Sequence, residues 1–382
     1  MKKYLLISSI FLFMHCSPKI ESQKEGKEFI KGVYGNPAAL LKAGFRLDSL
    51  GINAVFVRSI SLNPDFYKTA KEQGSKIFVE FPTLNGKEYL QENPDAWPID
   101  ENGEKSPPAD WFMGICPTHP GFKEFRADQL SAILQQYEVD GVFLDYMHWH
   151  AQFETTEPIL PETCFCERCT GLFGKEIKKK IPGENIKQKA DWILENKDKA
   201  WREWRSGILN TWVEDMGKIV KDHQPESKLG VFYCSWYPSD YDSALYKTLG
   251  IDPSAFAERA DVLSPMLFHS MKGRPTSWVG EYVSWLGDLV IPGSEIMIRS
   301  KSEDLPEQTG LNQGNLRTPM IWPIVQAHNN PGIVSPEEFR QVLLEGSKAP
   351  ASGIMMFSAE SIAEEPEKIE VLRRIYINKN SR

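Results

Sequence analysis

Residues 140–150 read DGVFLDYMHWH and contain a short apolar run that ends in polar and aromatic side chains. The run Val142 to Leu144 is too short for a helix and follows a glycine, so it predicts a strand buried on both faces. In parallel α/β sheets and barrels, ligands collect outside the carboxyl ends of such strands. Asp145 stands at that end. The sequence therefore predicts an enzyme scaffold with a site beside Asp145, although an Asp at a strand end also serves as a cap or an ion-pair partner.

Similar apolar runs recur along the chain and alternate with helical patterns. The predicted strands are Ile30 to Tyr34, Ala54 to Arg58, Lys76 to Phe81, Gly141 to Asp145, Leu229 to Tyr233, Val262 to Phe268, Met320 to Val325 and Gly353 to Phe357. The helical patterns between them include Pro64 to Gln73, Gly121 to Tyr137, Trp192 to His223, Trp278 to Val290 and Pro336 to Gly346. Because eight parallel strands remove their edges by closing, this alternation predicts an α/β fold, a single (β/α)₈ TIM barrel over residues 29–378.

Three connections are longer than ordinary turns between a strand and a helix. They run from Pro82 to Pro120, from Tyr146 to Asp191 and from Ser270 to Thr318, and each follows a predicted strand. Long loops inside a compact domain are usually functional, and these belong to the carboxyl-terminal face of the barrel. We expect them to cover a cleft there, unless they are ordinary insertions.

Charge and the amino terminus limit the partners of the chain. The net charge of −8 argues against nucleic acid, which requires clustered Lys and Arg. Lys2 and Lys3 precede an apolar run from Tyr4 to Met14 that is too short to span a membrane, so residues 1–16 are predicted to be a signal peptide. Cys16 and the polar residues 17–28 resemble a bacterial lipoprotein signal with a flexible tether. This resemblance implies an exported protein on the periplasmic face or cell surface, held to the membrane only by a lipid on Cys16.

Thiols are grouped in a pattern typical of metal sites. Cys164, Cys166 and Cys169 have a spacing that lets three thiolates approach one ion, and Cys116 is the natural fourth ligand because it lies in the preceding long loop. A four-Cys site would hold a structural zinc ion and leave no open position for catalysis. Disulfides are the alternative in an oxidising compartment.

The thiol pattern resembles the zinc cluster of the family 42 β-galactosidases, which are barrels with a structural zinc. Those enzymes carry an Asn-Glu pair after the fourth strand and a second Glu after the seventh. The corresponding segments here, residues 144–147 and 322–327, contain no Glu. The catalytic residues of that family therefore have no counterparts in these segments.

A closer resemblance covers most of the chain. The hypothetical glycosyl hydrolase lipoproteins, also called family-10-like, are similar to it in the segments DGVFLDYMHWH (140–150), CFCERC (164–169), WREWR (201–205), GVFYCSWYPSDYD (230–242), LSPMLFHSMKGRP (263–275) and IWPIVQAH (321–328). This resemblance implies a barrel that acts on oligo- or polysaccharides.

Cleavage of a glycosidic bond requires two carboxyl groups on either side of it. Asp145 is the first candidate. Glu80 ends the neighbouring third strand, and Asp240 lies in the loop after the fifth, so these two are the candidate partners. We predict no cofactor requirement for catalysis.

The candidate substrate-binding residues are hydrogen-bonding or aromatic side chains at strand ends. They are Arg58, His148, Trp149, Trp236, His269, Trp322, Gln326 and Glu360. The Trp rings could stack on sugar faces, whereas Arg58 binds either the substrate or one of the carboxylates, Glu80 or Asp145.

Three classes of function are compatible with these patterns. The first is an exported glycoside hydrolase. The second is a barrel that binds glycans without cleaving them, since the Asn-Glu pair is missing. The third is a metal-dependent deacetylase or lyase, for which the chain shows no ligand spacing of the HxxxH type.

Overall fold

Parallel strands form a closed ring at the centre of the molecule. The computed structural model describes residues 28–109, 111–291 and 318–377. The strands are β1 (Ile30–Gly35), β2 (Ala54–Arg58), β3 (Lys76–Pro82), β4 (Gly141–Asp145), β5 (Lys228–Cys234), β6 (Val262–Leu267), β7 (Met320–Ile321), β8 (Ile324–Gln326) and β9 (Gly353–Phe357). The ring closes because β1 pairs in parallel with β9 as well as with β2, and β5 pairs in parallel with β6.

One position of the ring is occupied by two short strands. The sequence predicts a single strand from Met320 to Val325, but β7 and β8 are separated by Trp322 and Pro323. Pro323 has no N–H to donate to a neighbouring strand, which explains the interruption. Both segments pair with β6, so the ring has eight positions. The predicted (β/α)₈ barrel is confirmed.

Helices follow most strands and form the outer layer. They are α1 (Ala38–Lys42), α2 (Pro64–Glu72), α3 (Tyr89–Glu92), α4 (Pro120–Gln136), α5 (Glu167–Glu176), α6 (Ile186–Asn196), α7 (Asp198–His223), α8 (Ala244–Lys247), α9 (Pro253–Ala257), α10 (Ser277–Val290), α11 (Pro336–Gly346), α12 (Ala359–Glu364) and α13 (Pro366–Leu372). The predicted helix over 192–223 is two helices, because Lys197 leaves the helical region with φ −142° and ψ 21°. In the described ranges, no helix has the length and hydropathy needed to cross a membrane.

Large aromatic rings fill the lower part of the barrel interior. Phe56 stacks on Phe78 with ring centroids 4.8 Å apart, and Phe143 stacks on Trp322 at 5.8 Å. Glycines make room for these rings: a Cβ on Gly230 would lie 2.2 Å from Phe143. This packed layer fills the barrel interior below the carboxyl ends of the strands, the face at which barrel active sites lie.

The predicted signal peptide and tether lie outside the described residues, apart from Glu28, as does most of the third long connection. The other two long connections are described except for position 110, and both lie on the carboxyl-terminal face.

Candidate active site

A cavity of about 770 Å³ opens at the carboxyl ends of the strands. Its walls combine ionisable side chains near the strand ends with aromatic and sulfur-containing side chains from the strands and loops. The lining residues central to the site are Tyr34, Arg58, Glu80, Trp111, Asp145, Tyr146, Glu154, Met266, Phe268, His328 and Phe357. A cavity of this size accommodates a small oligosaccharide or similar ligand.

Asp145 lies at the end of β4 and points into the cavity. It is only 8% exposed. The hydroxyl of Tyr34 donates a hydrogen bond to Oδ2 at 3.3 Å, and the backbone N–H of Tyr146 donates to Oδ1 at 2.8 Å. Tyr146 adopts a left-handed backbone with φ 56°, which is costly for a residue with a side chain. The turn it forms directs its N–H back to the carboxylate, so Asp145 is held in one orientation.

Glu80 lies on the adjacent strand β3, on the same side of the ring wall. In the register of the two strands Glu80 is opposite Phe143, so Asp145 is one pleat further toward the carboxyl end. Glu80 is 4% exposed, and Arg58 on β2 approaches it with 4.0 Å between Nε and Oε2. The guanidinium of Arg58 stays about half exposed in the cavity, so the ion pair and a substrate contact are compatible.

The two buried carboxyl groups hold their protons more tightly than free ones. Burial raises the pKa of Glu80 to about 7, although the charges of Arg58 and Arg126 oppose the shift. Burial, followed by the negative charge of Glu80, raises the pKa of Asp145 well above its ordinary value. Ionisation of both groups together is therefore disfavoured, because each charge would lie in a site that largely excludes water. A pair with one protonated and one ionised group can supply both an acid and a base.

Glu154 is a third carboxyl group in the cavity, contributed by the long loop after β4. Its Oε2 accepts a hydrogen bond from the indole Nε1 of Trp111 at 3.2 Å. Burial raises the pKa of Glu154, while Lys272, the bond from Trp111 and Arg58 oppose the increase. Neither Glu154 nor Trp111 was predicted from the sequence, since loop residues follow no periodic pattern.

Two predicted carboxylates do not line the cavity. Asp240, a candidate partner for Asp145, forms an ion pair with Arg274 at 3.1 Å and accepts a hydrogen bond from the backbone N–H of Tyr237 at 3.0 Å. Glu360 is exposed and accepts a hydrogen bond from Asn36 at 2.9 Å. Of the three candidate catalytic residues, the structure brings together Asp145 and Glu80.

Two of the predicted sugar-stacking Trp residues lie in the core. Trp149 is fully buried and donates through Nε1 to the carbonyl of Arg205 at 3.1 Å. Trp322 belongs to the aromatic layer below the cavity and donates to Ser352 at 3.1 Å. Trp236, the third, is 2% exposed and packs against Tyr241, with ring centroids 4.4 Å apart. None of the three rings lines the cavity.

The predicted binding residues His148, His269 and Gln326 do not line the cavity. His148 is buried, and its Nδ1 bonds the carbonyl of Trp149 at 2.8 Å. His269 is 2% exposed, and neither ring nitrogen has a hydrogen-bond partner among the described residues. The side chain of Gln326 accepts from the N–H of Ser270 at 3.0 Å and donates to the carbonyl of Asn330 at 3.0 Å, so it joins two loops.

Two cavity residues were missing from the predicted site although they lie at strand ends. Tyr34 is near the end of β1 and Phe357 ends β9. The strand-end position was the signal that could have identified both. His328, which follows β8, also lines the cavity, and burial lowers its pKa to about 4, which keeps the imidazole neutral.

The four predicted metal ligands are brought together. Cys116, Cys164, Cys166 and Cys169 are buried, and their sulfur atoms lie within 4.8 Å of one another. None of them forms a disulfide. The cluster joins the two long loops, since Cys116 belongs to the loop after β3 and the others follow β4. Four converging thiols of this kind could hold a metal ion.

Solved structures share this fold at low sequence identity. The catalytic domain of β-amylase from Paenibacillus polymyxa superposes with a TM-score of 0.59 at 11% identity, over 93% of this chain and 99% of that one. The PgaB (BpsB) glycoside hydrolase domain from Bordetella bronchiseptica gives 0.61 at 14% identity, over 91% and 98%. The Gan42B β-galactosidase from G. stearothermophilus gives 0.57 at 14% identity, over 87% and 51%. These likenesses show the fold, a barrel that is also used by glycoside hydrolases.

No protein-family model matches the sequence, and no curated protein sequence matches it significantly.

Proposed function

We propose that the protein is a glycoside hydrolase of the family-10-like lipoprotein group that cleaves O-glycosidic bonds with Asp145 and Glu80. The observation that carries this proposal is the pairing of two buried carboxyl groups on neighbouring strands at the floor of one cavity. Burial raises the pKa of both groups, and the negative charge of Glu80 adds to the increase at Asp145, which favours a state with one protonated and one ionised group. Glycosidic cleavage requires this combination of one acid and one base.

The chemistry divides between the two groups. The protonated carboxyl gives its proton to the oxygen of the leaving sugar as the bond to the anomeric carbon breaks. The ionised carboxylate either attacks that carbon and forms a covalent glycosyl-enzyme, or removes a proton from a water molecule that attacks it. In the first route water then hydrolyses the intermediate, with the other carboxyl group acting as base, and the two displacements together retain the configuration. In the second route the single displacement inverts it. Tyr34 and the N–H of Tyr146 fix the orientation of Asp145, so its reactive oxygen does not have to reorganise.

The remaining cavity walls suit a saccharide. Aromatic side chains provide faces for sugar rings, and Arg58 offers exposed N–H donors for hydroxyl or carboxylate groups. The neighbours with this fold include a β-amylase, a β-galactosidase and a glycoside hydrolase domain, which supports a carbohydrate substrate.

We also propose zinc as the ion of the thiol cluster. The set of four buried sulfur donors fits zinc, which prefers four thiolates in structural sites. When bound, zinc would supply a structural link between the two long loops. The ligands Cys116, Cys164, Cys166 and Cys169 would leave no open position for substrate.

Export and lipid attachment are proposals that rest on residues 1–28 alone. The basic start, the apolar run and Cys16 support a lipid-anchored protein of the cell envelope. Fractionation of cells that express Cys16→Ser tests this: the variant should leave the membrane fraction, and unchanged membrane retention would contradict the lipid anchor.

The test of the enzymatic proposal is product release from a broad panel of polysaccharides and aryl glycosides. Purified protein without residues 1–27 is compared with its Asp145→Asn variant. A loss of about a thousandfold or more is expected for removal of a catalytic carboxylate. Full activity in the variant would reject Asp145, and binding without any product would favour a glycan-binding protein instead.

A further inference from the structure

Glu154 is a carboxylate that the two-carboxyl mechanism does not use. It is half-buried in the cavity wall and lies on the loop after β4 rather than on a strand. Its hydrogen bond from Trp111 engages Oε2, and Oε1 receives no hydrogen bond from the described residues. Because Glu154 lines the cavity, this second oxygen is open to accept a hydrogen bond from a ligand hydroxyl.

Trp111 is the most exposed aromatic ring in the cavity wall. It is 46% exposed, whereas the other cavity aromatics at the strand ends are mostly buried. The edge of the indole is engaged by Glu154. This contact orients the ring while part of its surface stays open to the cavity.

Trp111 is anchored by its neighbour in the chain. Phe112 is 3% exposed and stacks almost parallel to Tyr146, with ring centroids 4.9 Å apart and an interplanar angle of 5°. Phe112 also stacks on His150 at 5.6 Å. His150 accepts from the N–H of Gly114 at 3.1 Å and donates to the carbonyl of Pro107 at 2.9 Å, so the loop is held on both sides of Trp111.

Lys272 contributes a positive charge near Glu154. Its amine bonds the carbonyl of Phe153 and lies over the rings of Phe153 and Trp236, at 5.7 Å and 5.2 Å. The positive charge acts on Glu154 without forming a close ion pair with it in the described part of the chain. The free carboxylate oxygen therefore stays available to a ligand.

We infer that Trp111 and Glu154 form a binding subsite for one pyranose ring next to the cleaved bond. The indole covers the apolar C–H face of the sugar, and Glu154 accepts hydrogen bonds from its hydroxyl groups. The inference rests on the proposed carbohydrate function. It assigns binding to Glu154, while proton transfer stays with Asp145 and Glu80.

The experiment measures binding separately from cleavage. Calorimetric titration of the Asp145→Asn protein with cello-, chito-, xylo-, malto- and galacto-oligosaccharides of increasing length identifies a ligand. Adding Trp111→Ala should weaken its binding about tenfold or more, and Trp111→Phe, which keeps an aromatic face, should restore most of the loss. Glu154→Gln should weaken it less than Trp111→Ala does. Tyr241→Ala is the matched control, since that ring is 48% exposed but lies outside the cavity wall.

The outcomes distinguish failure of the subsite proposal from failure of the hydrolase proposal. In the parent protein with Asp145 intact, Trp111→Ala should raise KM more than it lowers kcat. Binding that is indifferent to Trp111→Ala, or absent for every saccharide, would overturn the subsite. A fall in kcat for Glu154→Gln as large as that for Asp145→Asn would also overturn it and make Glu154 catalytic. Trp111-dependent binding by a parent protein that releases no product would support the subsite and reject the hydrolase.

Discussion

Asp145 and Glu80 are acids that the barrel withdraws from water, and this has a thermodynamic consequence. In the unfolded chain, Glu80 ionises near the ordinary value of 4.5, whereas in the folded protein its pKa is about 7. Between these values the folded state binds more protons than the unfolded state. This contribution to stability is therefore present at low pH and is lost as the pH rises through about 7. The site is kept at the expense of stability, as is common for catalytic groups.

Glu80→Gln should therefore stabilise the protein at pH 8 while it removes activity. The neutral amide avoids the cost of ionising a buried acid, so the free energy of unfolding should rise by about 1–3 kcal/mol. Urea unfolding at pH 8 and pH 5 measures the effect, which should shrink at the lower pH because Glu80 is then protonated. Asp242→Asn serves as a control, since that side chain is 92% exposed. A Glu80→Gln protein less stable than its parent at pH 8 would refute the explanation.

For single residues, the sequence pattern predicted which side chains lie at the carboxyl ends of the strands. Asp145 and Glu80 follow apolar runs, so their position on the carboxyl face was predictable. Asp240 carried a similar signal, but its pairing with Arg274 depends on tertiary contacts that no local pattern encodes. The same limitation applies to Trp322, where a strand-end aromatic became part of the core.

The two long loops behave as one element because the thiol cluster and an aromatic stack join them. Cys116 meets Cys169 with 3.4 Å between the sulfur atoms, and Phe112 from the first loop packs on Tyr146 and His150 from the second. The spacing of the thiols predicted their convergence, since metal ligands follow local rules. The aromatic stack was not predictable, because it depends on how the loops fold across the barrel.

Elemental analysis should find zinc bound in a ratio of about one ion per chain. Cys166→Ser should lose the metal and lower the melting temperature, because an ion held by the four thiols would link the two loops. Cys234→Ser should keep the metal, since Cys234 is buried at the end of β5 and does not belong to the cluster. A purified protein that holds no metal and is unaffected by a chelator would contradict a zinc site.

At the scale of the whole molecule, packing of the barrel interior requires glycines next to large aromatic rings, because a larger residue would overlap the ring. Short apolar runs were sufficient to predict eight strand positions, because strands buried on both faces are apolar throughout. The break at Pro323 and the interior packing were not predicted, since they depend on which side chains meet across the ring. Gly230 faces Phe143 at a separation that leaves no room for a methyl group.

Gly230→Ala should destabilise the barrel by about 1–3 kcal/mol, because the added Cβ overlaps the Phe143 ring. Gly207→Ala is the matched control: Gly207 lies in α7 with no atom within 4 Å of a built Cβ. Alanine there should stabilise the helix by about 0.5–1 kcal/mol. Thermal and urea unfolding of both variants measure the difference, and equal stability changes would argue against the described interior packing.

The most direct test of the central claim is a double-mutant cycle on the two buried carboxyl groups. The kcat/KM values of Asp145→Asn, Glu80→Gln and the double variant are compared with the parent on the best substrate of the panel. If the two groups act as one catalytic unit, each single variant loses about a thousandfold or more, and the double variant loses little beyond that. A Glu80→Gln protein with near-normal activity, or losses that multiply in the double variant, would contradict the Asp145–Glu80 pair.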